Sequence, residues 1–96
     1  MRPSLAILQH RDAVHRAAGR YRVTNPRVFG SALRGDDTDS SDLDLLVDPL
    51  PGATLFDLGG LQDELEQLLG VHVDLVTPRD LPSKFRSIVL AEAKPL

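Results

Sequence analysis

Between Asp42 and Asp48 the chain reads D-L-D-L-L-V-D, and this run constrains the fold more than any other segment. Side chains alternate along a strand, so residues two apart share a face. Asp42 and Asp44 then project together, while Leu43, Leu45 and Val47 turn toward a core. Pro49, Pro51 and Gly52 break the strand. Val71-His72-Val73-Asp74-Leu75-Val76 is a second such run, stopped by Thr77-Pro78. It puts Asp74 inside an apolar strand, where an unpaired carboxylate is costly, and sets His72 on the same face.

The remaining segments read as follows. Ser4 caps a first helix that runs to about Ala18, with Ile7, Val14 and Ala18 on one side and Gly19 at its end. Thr24-Asn25-Pro26 is a turn, and Arg27-Val28-Phe29 a short strand entering Gly30-Ser31. Ala32 to Arg34 is a short helical turn; Gly35 to Ser41 is a polar, acidic loop. Thr54 and Asp57 form a capping box for a helix reaching Leu69, with Leu58, Leu61, Leu65 and Leu68 on one face and Gly70 as the cap. Gly59-Gly60 argues for a later start, near Leu61. A last helix spans Leu81 to Ala93, with a start after Pro82 as the alternative. The expected fold is α/β (α+β), a small mixed sheet of about three to four strands flanked by helices. With 96 residues, one domain over 1–96 is expected.

Three Phe, one Tyr and no Trp leave the core to aliphatic side chains. Cysteine is absent, which excludes disulfides and thiolate metal sites. No signal peptide and no membrane span is visible, so a cytoplasmic location is expected. The net charge of −3 argues against a broad nucleic-acid footprint. Six acids lie between Asp36 and Asp48 with no Lys or Arg among them. Such a block repels phosphate unless a divalent cation stands between them.

Three features converge on that chemistry. Gly30-Ser31 at a strand-to-helix junction offers close backbone approach, free N–H groups and a hydroxyl donor for phosphate. Asp42 and Asp44 form a carboxylate pair suited to a hard ion such as Mg²⁺. Asp74 joins them if its strand lies beside theirs, and three carboxylates can hold two metals about 3.5–4 Å apart.

Gly30-Ser31, ten intervening residues, then Asp42-Leu43-Asp44 resembles the G-S-x10-D-x-D signature of the polymerase-beta-like nucleotidyltransferase superfamily. Asp74 in Val73-Asp74-Leu75-Val76 fits that family's third carboxylate, and the resemblance runs from about Val28 to the C-terminus. It implies Asp42, Asp44 and Asp74 as catalytic metal ligands, with Asp74 activating the acceptor hydroxyl. Gly30 and Ser31 would hold the triphosphate of ATP; Arg34 is a weaker candidate for a phosphate contact. The smallest members resemble antitoxins paired with a helical HEPN-domain ribonuclease toxin, to which they transfer AMP on a tyrosine. A chain this short would rely on that partner to supply the acceptor.

Plainer readings stand beside these. Asp36, Asp37 and Asp39 read as a solvated loop. A calcium loop over Asp37, Asp39, Ser41 and Asp48 fails, because Asp42 replaces the required Gly and a strand follows. His72 reads as a partly exposed strand histidine, His10 and His15 as surface residues, Tyr21 as packing. Lys84, Arg86 and Lys94 read as a solvated face, with partner docking as the sharper alternative. Two other functions remain open. One is an antitoxin acting by contact alone with a vestigial nucleotide site. The other is nucleotidyl transfer to a small molecule or RNA, against which the net acidity and missing substrate domain argue.

Overall fold

A computed structural model describes all 96 residues. In chain order the elements are α1 (Pro3–Gln9), α2 (Arg11–Arg20), β1 (Val23–Phe29), α3 (Gly30–Arg34), β2 (Leu43–Pro49), α4 (Leu55–Leu69), β3 (Val73–Val76), a 3₁₀ turn (Pro78–Asp80), α5 (Ser83–Glu92) and β4 (Lys94–Pro95). The four strands form one sheet in the order β3-β2-β1-β4. β1 runs antiparallel to β2 and β4, and β2 parallel to β3. The sheet is mixed, as expected.

β2 is the spine. Leu43, Leu45, Leu46 and Val47 are all buried, and Leu43, Leu45 and Val47 join the main core. Val14, Ala17 and Ala18 of α2 and Leu61, Leu65 and Leu69 of α4 complete that core with Val23, Val28 and Val73. Leu46 alternates to the other face, where the 3₁₀ turn packs against β2. Tertiary packing here decides the helices as much as propensity does.

The N-terminal helix is two helices, not one. It breaks at His10, whose φ of −117° and ψ of 22° leave the helical region. No Pro or Gly marks this break. Arg2, not Ser4, is the N-cap residue, and Pro3 takes the first helical position, where its missing N–H costs nothing. Ser4 instead donates its backbone N–H to Asp37 Oδ2 at 2.8 Å and its hydroxyl to Oδ1 at 3.0 Å. Arg2 Nη2 donates to the same Oδ1 at 3.0 Å. Asp37 is therefore a buried staple rather than a solvated loop residue.

Thr24-Asn25-Pro26 also departs from expectation. It lies within β1, where the register to β2 slips between Thr24 and Arg27. Asn25 adopts a φ of +55°, which asparagine tolerates better than most residues. Pro26 has no N–H to lend the ladder, and its carbonyl accepts from Leu96 instead. Leu96 directly follows β4, a two-residue strand the sequence pattern does not reveal.

α4 begins at Leu55 with the Thr54–Asp57 capping box in place and ends on Gly70 in the left-handed region. Gly59 and Gly60 are thus inside the helix. Gly60 has a packing reason: a Cβ there would stand 2.6 Å from the Tyr21 ring. The buried stripe is Leu61, Leu65 and Leu69, with Leu58 and Leu68 half-buried beside it. Arg86 is not on a solvated face. Its guanidinium donates to the carbonyls of Pro78 and Leu81 at 2.9 Å each, tying α5 to the preceding turn.

Burial works against ionisation of Asp37, but the Ser4 N–H, the Arg2 guanidinium and the Ser4 hydroxyl outweigh it and lower its pKa. A lowered folded pKa adds stability above the ordinary value of 3.8, lost as pH falls through the folded value. Asp37→Ala is expected to cost about 1–3 kcal/mol at neutral pH. In urea unfolding followed against pH, the gap to the wild type stays constant until near 3.8 and closes below it.

Candidate active site

The parallel pairing of β2 with β3 opposes Leu43 to Val73 and Asp44 to Asp74. Directly opposed residues of neighbouring strands point to the same face, so Asp74 lies on the Asp44 side of the sheet. Asp42 precedes β2 by one residue and shares that side. One ligand atom each from Asp42, His72 and Asp74 fall within 4.8 Å of one another.

On the other flank, β1 pairs Phe29 with Asp44. The next residue, Gly30, turns into α3 with a φ of +71°. A Cβ on Gly30 would sit 2.2 Å from Asp44 Oδ2. Glycine is required here twice over, by conformation and by the Asp44 carboxylate against its backbone. Beside the close approach to a ligand that glycine permits, the structure shows close approach to the site's own acid. Ser31 follows in the first turn of α3, whose N-cap residue Phe29 supplies no side-chain cap. Its leading N–H groups stay free for an outside acceptor.

The structure thus brings together Gly30, Asp42, Asp44 and Asp74, with Ser31 adjacent. Arg34 is exposed and pairs with Asp36 at 3.4 Å. Asp44 has a raised pKa: half-burial is the largest cause, then the Asp74 and Asp42 carboxylates, with Arg34 pulling the other way. No salt bridge offsets Asp42 or Asp44; Arg2, Arg20, Arg27 and Arg34 pair with other acids. Three oxygen-donor acids on one side of the sheet, none ion-paired to a Lys or Arg, fit a hard divalent ion such as Mg²⁺.

Two more residues belong to the neighbourhood, one placed on the right face by the sequence and one without any signal in it. His72 lies within the cluster, with Nε2 3.4 Å from Asp74 Oδ1. The H-x-D alternation placed it on the right face, and only the packing shows how close it comes. Glu66 of α4 carried no signal. Its Oε2 stands 2.7 Å from His72 Nδ1 and also accepts the Val73 N–H at 2.9 Å. What little burial His72 has disfavours its charged form, but the Asp42, Glu66 and Asp74 carboxylates push its pKa up.

The chain is similar to known proteins. The family model described as "Nucleotidyltransferase domain" matches residues 8–96. The protein adenylyltransferase MntA of Thermococcus cleftensis is 41% identical over 73 residues, covering 76% of this chain and 74% of its own. A candidate protein adenylyltransferase of Methanocaldococcus jannaschii is 35% identical over 74 residues, 77% of this chain and 80% of its own. Among solved structures, a candidate minimal nucleotidyltransferase superposes with a TM-score of 0.87 at 44% identity, covering 97% of this chain and 95% of that one. A toxin–antitoxin structure with AMP-PNP shares the fold at a TM-score of 0.73 and 21% identity, covering 88% and 69%.

Gly30→Ala is expected to destabilise the chain by at least about 1 kcal/mol and to displace the Asp44 carboxylate; thermal unfolding reads the first and divalent-ion titration the second. Asp44→Asn has the opposite sign on stability. A carboxyl whose folded pKa is raised destabilises the fold at neutral pH. Its neutralisation should stabilise the metal-free chain by no more than about 1 kcal/mol, given solvent screening. Saturating Mg²⁺ should remove or reverse that advantage in chemical denaturation.

Proposed function

Since the chain belongs to the nucleotidyltransferase domain family, we propose that it transfers AMP from ATP to a tyrosine hydroxyl of a partner protein, the HEPN-domain toxin of a toxin–antitoxin pair. The observation that carries this reading is the convergence of Asp42, Asp44 and Asp74 from neighbouring strands beside the Gly30-Ser31 bend. The name of the Thermococcus relative supports the reaction, and the toxin–antitoxin neighbour with AMP-PNP is consistent with the nucleotide and the partner.

Each residue then has a role. Asp42, Asp44 and Asp74 hold Mg²⁺. When bound, the ions supply Lewis-acid stabilisation of the triphosphate and lower the pKa of the attacking hydroxyl. Ser31 and the N–H groups at the start of α3 hold triphosphate oxygens. Gly30 keeps the backbone low enough for the nucleotide to approach Asp44. The acceptor oxygen bonds to the α-phosphorus as the bond to the bridging oxygen of pyrophosphate breaks. The hydroxyl proton passes to Asp74, whose side chain is half exposed and open to an incoming acceptor.

A second reading is neutralisation of a toxin by contact alone. Leu55 and Phe56, 85% and 92% exposed at the head of α4, favour it, because large apolar side chains so bare often mark a contact surface. One experiment separates the two. The chain is incubated with ATP, Mg²⁺ and its partner, and the partner is weighed by mass spectrometry. Transfer adds AMP to the partner, and the Asp42→Ala/Asp44→Ala chain loses at least about 100-fold in rate, as removal of metal ligands should. Full neutralisation by the double variant favours contact, and an unmodified partner in a bound complex rejects transfer.

A further inference from the structure

His72 occupies an unexplained position within the candidate site. Its Nδ1 is 2.7 Å from Glu66 Oε2, an atom that only accepts when ionised. Nδ1 must therefore carry the hydrogen, and in the neutral ring the lone pair resides on Nε2. Glu66 is itself fixed by the Val73 N–H, so the ring has a defined heading. Nε2 then turns its lone pair toward acceptors: Asp74 Oδ1 is 3.4 Å away, and an Asp42 oxygen lies within 4.8 Å of a nitrogen of the ring. The 3.4 Å separation exceeds a good N–H···O bond. It fits two atoms bound to one ion, which stand roughly 3.0–3.4 Å apart when each is about 2.1 Å from the metal. A carboxylate holding the far nitrogen of an imidazole is the usual support of a histidine ligand.

We propose that His72 Nε2 is a ligand to a divalent ion shared with Asp42 and Asp74, oriented by Glu66. The inference rests on the reading of Asp42 and Asp74 as cation-binding residues. It changes what the site prefers. Carboxylates alone suit Mg²⁺, whereas an added imidazole favours ions that accept nitrogen, such as Mn²⁺, Co²⁺ and Zn²⁺. Glu66 acts only through the ring and is a positioning residue.

The test uses the full chain without nucleotide, at a pH alkaline enough to leave the ring neutral, titrated with Co²⁺ and with Mg²⁺. Co²⁺ gives a strongly shifted imidazole N–H proton resonance only when an imidazole is its ligand. The expected result is that resonance in the wild type, its loss in His72→Ala, and at least about tenfold weaker Co²⁺ binding with Mg²⁺ affinity little changed. Glu66→Gln should weaken Co²⁺ binding while keeping the resonance. His72 is exposed, so its replacement leaves the fold intact. Equal Co²⁺ affinity in the wild type and His72→Ala, with no shifted resonance but with binding lost in Asp42→Asn, overturns the inference and leaves the metal reading standing. Failure of the wild type to bind Co²⁺ or Mg²⁺ overturns both.

Discussion

The site depends on a register. Were β3 to slip by one residue against β2, Asp74 would turn into the core and Val73 out of it. The observed pairing, Leu43 with Val73 and Asp44 with Asp74, is fixed because two of those four side chains are fully buried. Hydrophobic burial therefore holds like charges in a position they would not choose. Each fully buried Leu or Val contributes about 1.5–3 kcal/mol, more than the repulsion between partly exposed carboxylates in a screened environment. The spine of the fold is apolar, and its cost is carried on the opposite face.

Much of this was legible in the chain. Period-two alternation located β2 and the central part of β3, and the capping pattern located both ends of α4, against the start near Leu61 that Gly59-Gly60 suggested. The same alternation put Asp42 with Asp44, the strand-to-helix junction marked Gly30, and the apolar run around it marked Asp74. What escaped depends on contacts distant in sequence. The stretch around Thr24-Asn25-Pro26 looked like a turn because its residues favour turns; pairing with β2 and the bond from Leu96 keep it in the sheet. The break at His10 has no local signal. Glu66 reaches the site only because α4 packs along β3, and no spacing rule predicts that.

Asp37 is the clearest case of a residue misread from its neighbours. It sits among acids in a polar loop, and composition alone assigns it to solvent. The Ser4 N–H and the Arg2 guanidinium instead bury it. The effect is to tie the first turn of α1 to the loop that runs between the Gly30-Ser31 bend and Asp42. The two halves of the motif are ten residues apart, and that span is pinned near its middle by the N-terminus. Loop freedom that would blur the relation between bend and carboxylates is thereby reduced.

The outer borders of the sheet have a consequence for how anything large can approach. On one side β4 has two residues, and one of them is Pro95, which cannot donate to a ladder. On the other side β3 is four residues long, and the N–H of Val73 is already taken by a carboxylate. Neither border offers the row of free main-chain groups that strand addition needs. A macromolecule that engages this protein finds little main chain to pair with at these two borders and relies there on side chains and shape, which leaves its recognition open to tuning by single substitutions.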